Sequence, residues 1–132
     1  MFHNITPEKV LFCNREGDPD SLDLAMYYKY YRGVPLENNI ALPCSLDQTI
    51  TEAEYIYQIR DPIIAALDEL EVGSDGHFRK DIWVIILGYH IPNFYTDAYG
   101  QRIPIASRVQ RIREPYTGKV LNHTYNKQIF EY

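Results

Sequence analysis

Along the chain, apolar and polar positions fall into blocks with different periods. Residues 9–13 (KVLFC) form a short, nearly continuous apolar run. Such a run fits a strand covered on both faces, as in a parallel sheet. Residues 14–20 (NREGDPD) are turn and cap chemistry, so a helix follows them. Asp18 or Asp20 can cap it, and Pro19 suits its first turn. Leu24, Ala25, Tyr28 and Tyr31 then recur at helical spacing. Gly33 stands where a left-handed C-terminal cap is wanted, and Pro35 cannot continue the helix. Residues 39–42 (NIAL) read as a second strand stopped by Pro43. Thr51 with Glu54 is a capping box that starts a helix near Glu52. Pro62 interrupts that pattern, and Asp61 can cap a second piece to about Glu71, with Ile63, Ile64, Leu67 and Leu70 on its apolar face. Residues 73–77 (GSDGH) read as a surface loop. Residues 82–87 (IWVIIL) are the strongest strand signal, β-branched, uninterrupted and therefore central. Beyond them come a turn over 88–93, a small hairpin within 94–104 around Ala98–Gly100, and a helix over 105–113. That helix turns Ile105, Val109 and Ile112 inward and is stopped by Pro115.

The order is strand, helix, strand, helix pair, strand. It predicts an α/β domain of three layers, βαβαβ and Rossmann-like, which is half of a doubly wound parallel sheet. Its strands take the spatial order 2-1-3, and a crevice opens at the C-terminal ends of strands 1 and 3. The domain spans 1–113, and 114–132 form an irregular C-terminal arm or edge-covering segment. Three strands leave two edges to be covered or paired with another chain.

Composition changes this picture at one point. The chain of 132 residues is 45% hydrophobic and 23% charged, the balance of one globular domain. Twelve tyrosines against five phenylalanines and one tryptophan are the excess. Tyrosine has an apolar ring and a polar tip, which suits half-buried surfaces and interfaces. Tyr27, Tyr28, Tyr30 and Tyr31 crowd one helix and cannot all face one core, because successive residues point about 100° apart. The expected interface residues are Tyr27 and Tyr30 on that helix and Tyr116, Tyr125, Phe130 and Tyr132 in the tail.

Charge and cysteine content exclude more than they supply. The net charge is −5, and the densest basic group is the loose set Arg102, Arg108, Arg111, Arg113 and Lys119. A nucleic-acid surface presents a basic face or stripe, so no nucleic-acid partner is expected. The first residues carry no signal-peptide pattern, and the longest apolar run is far short of the ~20 residues of a membrane span. Cys13 and Cys44 are the only cysteines, too few for a disulfide framework. Free thiols fit a reducing compartment or an assembled particle. No zinc or calcium motif is present, and neither GxGxxG nor GxxxxGK[ST] occurs, so no metal and no cofactor are expected. His3, His77 and His123 stand in polar or terminal contexts and read as solvated.

The run VLFCNREGDPDSLDLAMYYKYYRGVP, followed by TEAEY, a third strand ending in Gly88, Tyr89, His90, Ile91 and Pro92, and the segment ASRV, resembles an uncharacterised prokaryotic family associated with exosortase protein sorting. The matching residues are Asn14, Ser21, Ala25, Tyr28, Arg32, Gly33, Val34 and Pro35. The resemblance covers roughly 9–109 and implies a fold, with no activity attached. The same pattern is distantly similar to caspase- and gingipain-like cysteine peptidases, in which a His follows the third strand and a Cys the fourth. His90 matches the first; no cysteine follows Cys44, so the dyad is incomplete.

The crevice gathers Asn14, Arg15, Asp18, Ser21, Cys44, Ser45 and His90, with Tyr89 at its edge. Asn14, Arg15, Ser21, Tyr89 and His90 are the candidate binding residues. A Cys–His pair can generate a thiolate, with Asp18 orienting the imidazole, and His90, Cys44 (or Cys13) and Asp18 are the catalytic candidates. Against this, Asp18 and Ser21 are already accounted for as caps, and Cys44 is placed in strand 2, one strand from the crevice. The expected function is therefore a non-catalytic protein-interaction or assembly module that binds a protein partner or itself, as a subunit of a virion or surface particle. The alternative is a caspase/gingipain-like cysteine hydrolase.

Overall fold

In the computed structural model, which describes residues 6–71 and 82–112, two small sheets share one core. The first is built on β1 (Val10–Arg15), which lies between β2 (Asn39–Leu42) and β4 (Val84–Leu87), all parallel. Val10, Leu11, Phe12 and Cys13 are all buried. Alternation along the pleat sends Val10 and Phe12 to one face and Leu11 and Cys13 to the other. This is why the run carries no polar–apolar alternation.

Helix α1 (Pro19–Arg32) covers the first face, where Ala25 and Val34 join Val10, Phe12, Val84 and Ile86. Asp18 caps it, its carboxylate accepting from the amides of Asp20 and Ser21. Gly33 closes it at φ 72°, left-handed, where its amide donates to the Lys29 carbonyl. The motif that carried the family resemblance is thus the end of this helix. Tyr28 packs on the Phe12 ring, Arg32 lies over Tyr28, Gly33 makes the cap and Val34 is buried. One expectation is corrected here. Leu24 and Tyr31 share helical spacing with Ala25 and Tyr28, yet they are exposed. Periodicity finds a stripe but does not say which stripe meets the sheet, and Ser21, Ala25 and Tyr28 take that place.

The second face is covered by α3 (Asp61–Glu71), with Ile63, Leu67 and Leu70 inward and Ile64 partly buried beside them. Before it, Thr51 and Glu54 form the expected reciprocal cap of α2 (Glu52–Tyr55). Pro62 does not interrupt the helix as expected, and Asp61 is not a cap. Asp61 has helical angles, φ −64° and ψ −42°, and a single π turn over Ile56–Arg60 joins α2 to α3. Proline lacks an N–H and its ring strikes the carbonyl four residues back. The wider turn, in which the Asp61 amide reaches the Ile56 carbonyl, absorbs both defects without breaking the path.

The single three-stranded sheet is also corrected. A second sheet holds β3 (Thr49–Thr51), β5 (Phe94–Thr96) and β6 (Arg102–Pro104), with β3 parallel and β6 antiparallel to β5. The β5–β6 pair is the expected hairpin, turned at Asp97 to Gly100. Tyr95 faces inward and stacks on Tyr55 at 4.7 Å, while Tyr99 at the turn is exposed. Helix α4 (Ile105–Gln110) buries Ile105 and Val109, and Ile112 beyond it is also buried. It ends before the expected boundary: the backbone leaves helical angles at Arg111, so Pro115 is not what stops it. The loop 73–77, His3, His77, His123, Arg113, Lys119 and the tail residues Tyr116, Tyr125, Phe130 and Tyr132 lie outside the described residues.

Candidate functional site

From β1 the chain crosses through α1 to β2 on one side, and from β2 it crosses back through α3 to β4 on the other side of β1. The C-terminal ends of β1 and β4 therefore face a gap, the position where open parallel sheets hold ligands. The end of β1 delivers Arg15, the loop after it Asp18, and the loop after β4 Tyr89 and His90.

These groups meet across the gap. His90 Nδ1 stands 2.6 Å from Asp18 Oδ2, and an Arg15 guanidinium nitrogen donates to the same oxygen at 3.3 Å. The other Asp18 oxygen accepts the two α1 amides. Burial alone would raise the Asp18 carboxyl, but the Ser21 amide, His90 and Arg15 outweigh it and hold the group below its ordinary value. Asp18 is therefore ionised near neutrality and can only accept hydrogen bonds, which places a proton on His90 Nδ1. Nε2 is the ring nitrogen left over.

His90 is also the single non-glycine residue with positive φ among those described, at 71°. It occupies the third position of a tight turn in which the Ile91 amide donates to the Gly88 carbonyl. A Cβ in this region costs about 1–2 kcal/mol. His90→Gly is therefore expected to be about 1 kcal/mol more stable than His90→Ala, since both lose the imidazole and only one keeps the Cβ. Urea unfolding of the pair checks this; equal stability would mean that the turn does not impose the angle.

A cavity of about 480 Å³ opens beside His90, walled by residues 46–48, 87–93 and Ala106. Leu46, Leu87 and Ile91 give it apolar walls; Asp47, Gln48 and Asn93 give polar ones.

The remaining candidates are placed differently. Ser21 is fully buried, and its hydroxyl accepts from the Arg15 amide at 2.8 Å while donating to the Tyr89 carbonyl at 2.7 Å. It ties the two loops together. Asn14 is buried and accepts from the Asn39 side chain at 2.8 Å. Tyr89 is exposed and its ring stacks on His90 with centroids 3.8 Å apart. Cys44 lies beyond β2, which ends at Leu42, so its placement in strand 2 is corrected. Its carbonyl accepts from Arg15 Nε at 2.9 Å, and its thiol makes no hydrogen bond to His90 among the described residues. Burial pushes the Cys44 thiol up to about 11 against a smaller opposing pull from Arg15. Cys13 is fully buried and its thiol is pushed higher still, by burial first and then by Cys44. Arg102 of the loose basic group stacks over Phe94 at 4.5 Å. Among the described residues no three His, Cys, Asp or Glu side chains converge as a metal ion requires, and no helix is long and apolar enough to cross a membrane.

The sequence put Asp18 beside the His90 imidazole as its orienting group, and the two side chains do meet, whereas the cysteine of that triad does not join them. It did not signal the cavity wall around Asp47, Gln48 and Asn93, which forms only when β3 pairs with β5. Comparison with protein-family models, with curated proteins and with solved structures finds no match.

Proposed function

We propose that this chain is a non-catalytic protein-interaction and assembly module, and that a second copy of the chain docks on the outer face of α1. The observation that carries this reading is the exposure of Tyr27 (63%), Tyr30 (81%) and Tyr31 (65%) as one touching cluster, with Leu24 beside it. Tyr27 and Tyr31 ring centroids lie 4.6 Å apart, and Tyr30 meets Tyr31 edge-on at 5.3 Å. Burying large rings is worth roughly 25 cal/mol per Å² of apolar surface.

The polarity of the helix selects the occupant. Exposed Asp20 and Asp23 stand at its start, and Tyr30, Tyr31 and Arg32 at its end. Two copies laid antiparallel about Tyr27 bring Asp23 of one to Tyr31 of the other. A phenol then donates to a carboxylate, a charge-assisted bond, at both ends of a two-fold contact. A parallel arrangement sets acid on acid. One helix face offers less than the ~800 Å² per partner of a stable complex, so the pairing is concentration-dependent.

The state of the thiols supports the non-catalytic reading over the cysteine hydrolase. At a thiol value of about 11 only about one Cys44 in ten thousand is thiolate at neutral pH. The parallel order β2-β1-β4, with separate apolar clusters on its two faces, supports the reading of this part as half of a doubly wound, Rossmann-like sheet.

Sedimentation velocity over a micromolar-to-millimolar series tests the assembly reading. The mass is expected to double toward the top of the series. Tyr27→Asp abolishes the doubling, whereas the equally exposed but distant Tyr57→Asp leaves it intact. A monomer throughout, or the same loss from both variants, overturns it.

A further inference from the structure

We infer that the crevice beside His90 is a binding site for a small uncharged ligand that carries a hydroxyl group on an apolar body. The inference is independent of the α1 interface, which lies on another face of the protein. Four observations converge on it. Asp18 holds Nδ1 of His90 at 2.6 Å and so fixes which ring nitrogen carries the proton when the ring has one, with Nε2 as the acceptor. An acceptor is satisfied by an O–H donor. His90 lines the cavity and keeps about a third of its side chain exposed (31%), so that nitrogen is not packed away. Its backbone sits at φ 71°, a conformation that glycine would adopt more easily, so the imidazole is stationed there against local preference.

The walls select the rest of the ligand. Leu46, Leu87 and Ile91 provide an apolar surface for a hydrocarbon or ring. Asp47 is part of the lining, and Asp18, bonded to His90, is a second carboxylate at the site. Arg15 pairs with Asp18 and offsets that charge, which leaves Asp47 as the carboxylate of the lining. Phosphate or carboxylate ligands therefore meet repulsion, and a neutral hydroxyl does not. Asp18 acts here as a positioning residue. Replacing it with Asn keeps a good N-cap but points an NH₂ group at Nδ1. The ring proton then moves to Nε2, and the acceptor is lost.

Phenol is a suitable probe, with phenyl phosphate as its charged counterpart, on full-length chain labelled with ¹⁵N histidine. Phenol is expected to move the His90 Nε2 resonance, and phenyl phosphate to leave it unmoved at tenfold higher concentration. One lost hydrogen bond corresponds to a binding loss of roughly fivefold to tenfold, expected for His90→Gln measured on the wall amides. Asp18→Asn is expected to lose binding to a similar extent while its amide spectrum stays folded and His90 remains present. A His90 resonance that phenol leaves unmoved, an equal response to phenyl phosphate, or full binding by Asp18→Asn would each overturn the inference.

Discussion

Leu11→Ala is expected to lower the unfolding free energy by about 2–5 kcal/mol, the largest effect of any single truncation in this protein. Leu11 is fully buried on the central strand β1, with a neighbour strand on each side. Its face packs against Ile63 and Leu67 of α3, and the same cluster runs on to Tyr95, Ile105 and Val109. Domains of this size have a total stability of about 5–15 kcal/mol, so the variant is half melted at moderate urea. Leu24→Ala is the contrast, since Leu24 is the same residue type in the same sheet-and-helix unit but is exposed on α1. Its expected cost is within about 0.5 kcal/mol. Urea titrations of the two variants with unchanged slopes check the pair. A cost under about 1 kcal/mol for Leu11→Ala would remove β1 from the centre of the core.

Gly88→Val is expected to cost about 1–3 kcal/mol or more, and to do so by overpacking, not by a cavity. Gly88 follows β4 directly, and its amide donates to the Cys13 carbonyl at 2.8 Å. A Cβ at this position would stand 2.8 Å from that carbonyl oxygen and 2.9 Å from a carbon of the Phe12 ring. The oxygen belongs to backbone in the central strand and cannot move aside. The end of β4 must shift instead, and His90 shifts with it, away from Asp18. The expected result therefore has two parts: lower stability in urea, and loss of the phenol response at His90. Normal stability would mean that the strand ends are looser than the geometry implies.

The Gly-x-x-x-Pro after the third predicted strand thus acquires a physical meaning that spacing alone did not carry. Gly88 permits the close approach to β1, His90 takes the left-handed turn position, and Pro92 is buried where the chain turns toward β5. The strand ends were legible because β-branched runs and turn residues are local signals. That Asp18 could orient His90 was legible from the predicted crevice, but the left-handed turn and the close approach to Cys13 that bring His90 there were not, because they depend on strands far apart along the chain. The same limit explains β3. Thr49 to Thr51 has too few apolar residues to signal a strand, and it becomes one only because Phe94 to Thr96 lies alongside.

The chain's own order of residues determined whatever a few neighbouring residues can settle through sterics and short hydrogen bonds. Asp18 at the start of α1, Gly33 at its end and the Thr51–Glu54 box are of this kind. So are the doubly covered strands β1 and β4 and the necessity that some of the four crowded tyrosines face outward. Tertiary structure alone decided which stripe of α1 meets the sheet, how a π turn carries the helix past Pro62, and that a second sheet completes the core. It also buried Cys44 and joined His90 to Asp18 beside a cavity. These outcomes depend on segments dozens of residues apart competing for the same buried surface, and that competition is resolved only when the whole chain packs.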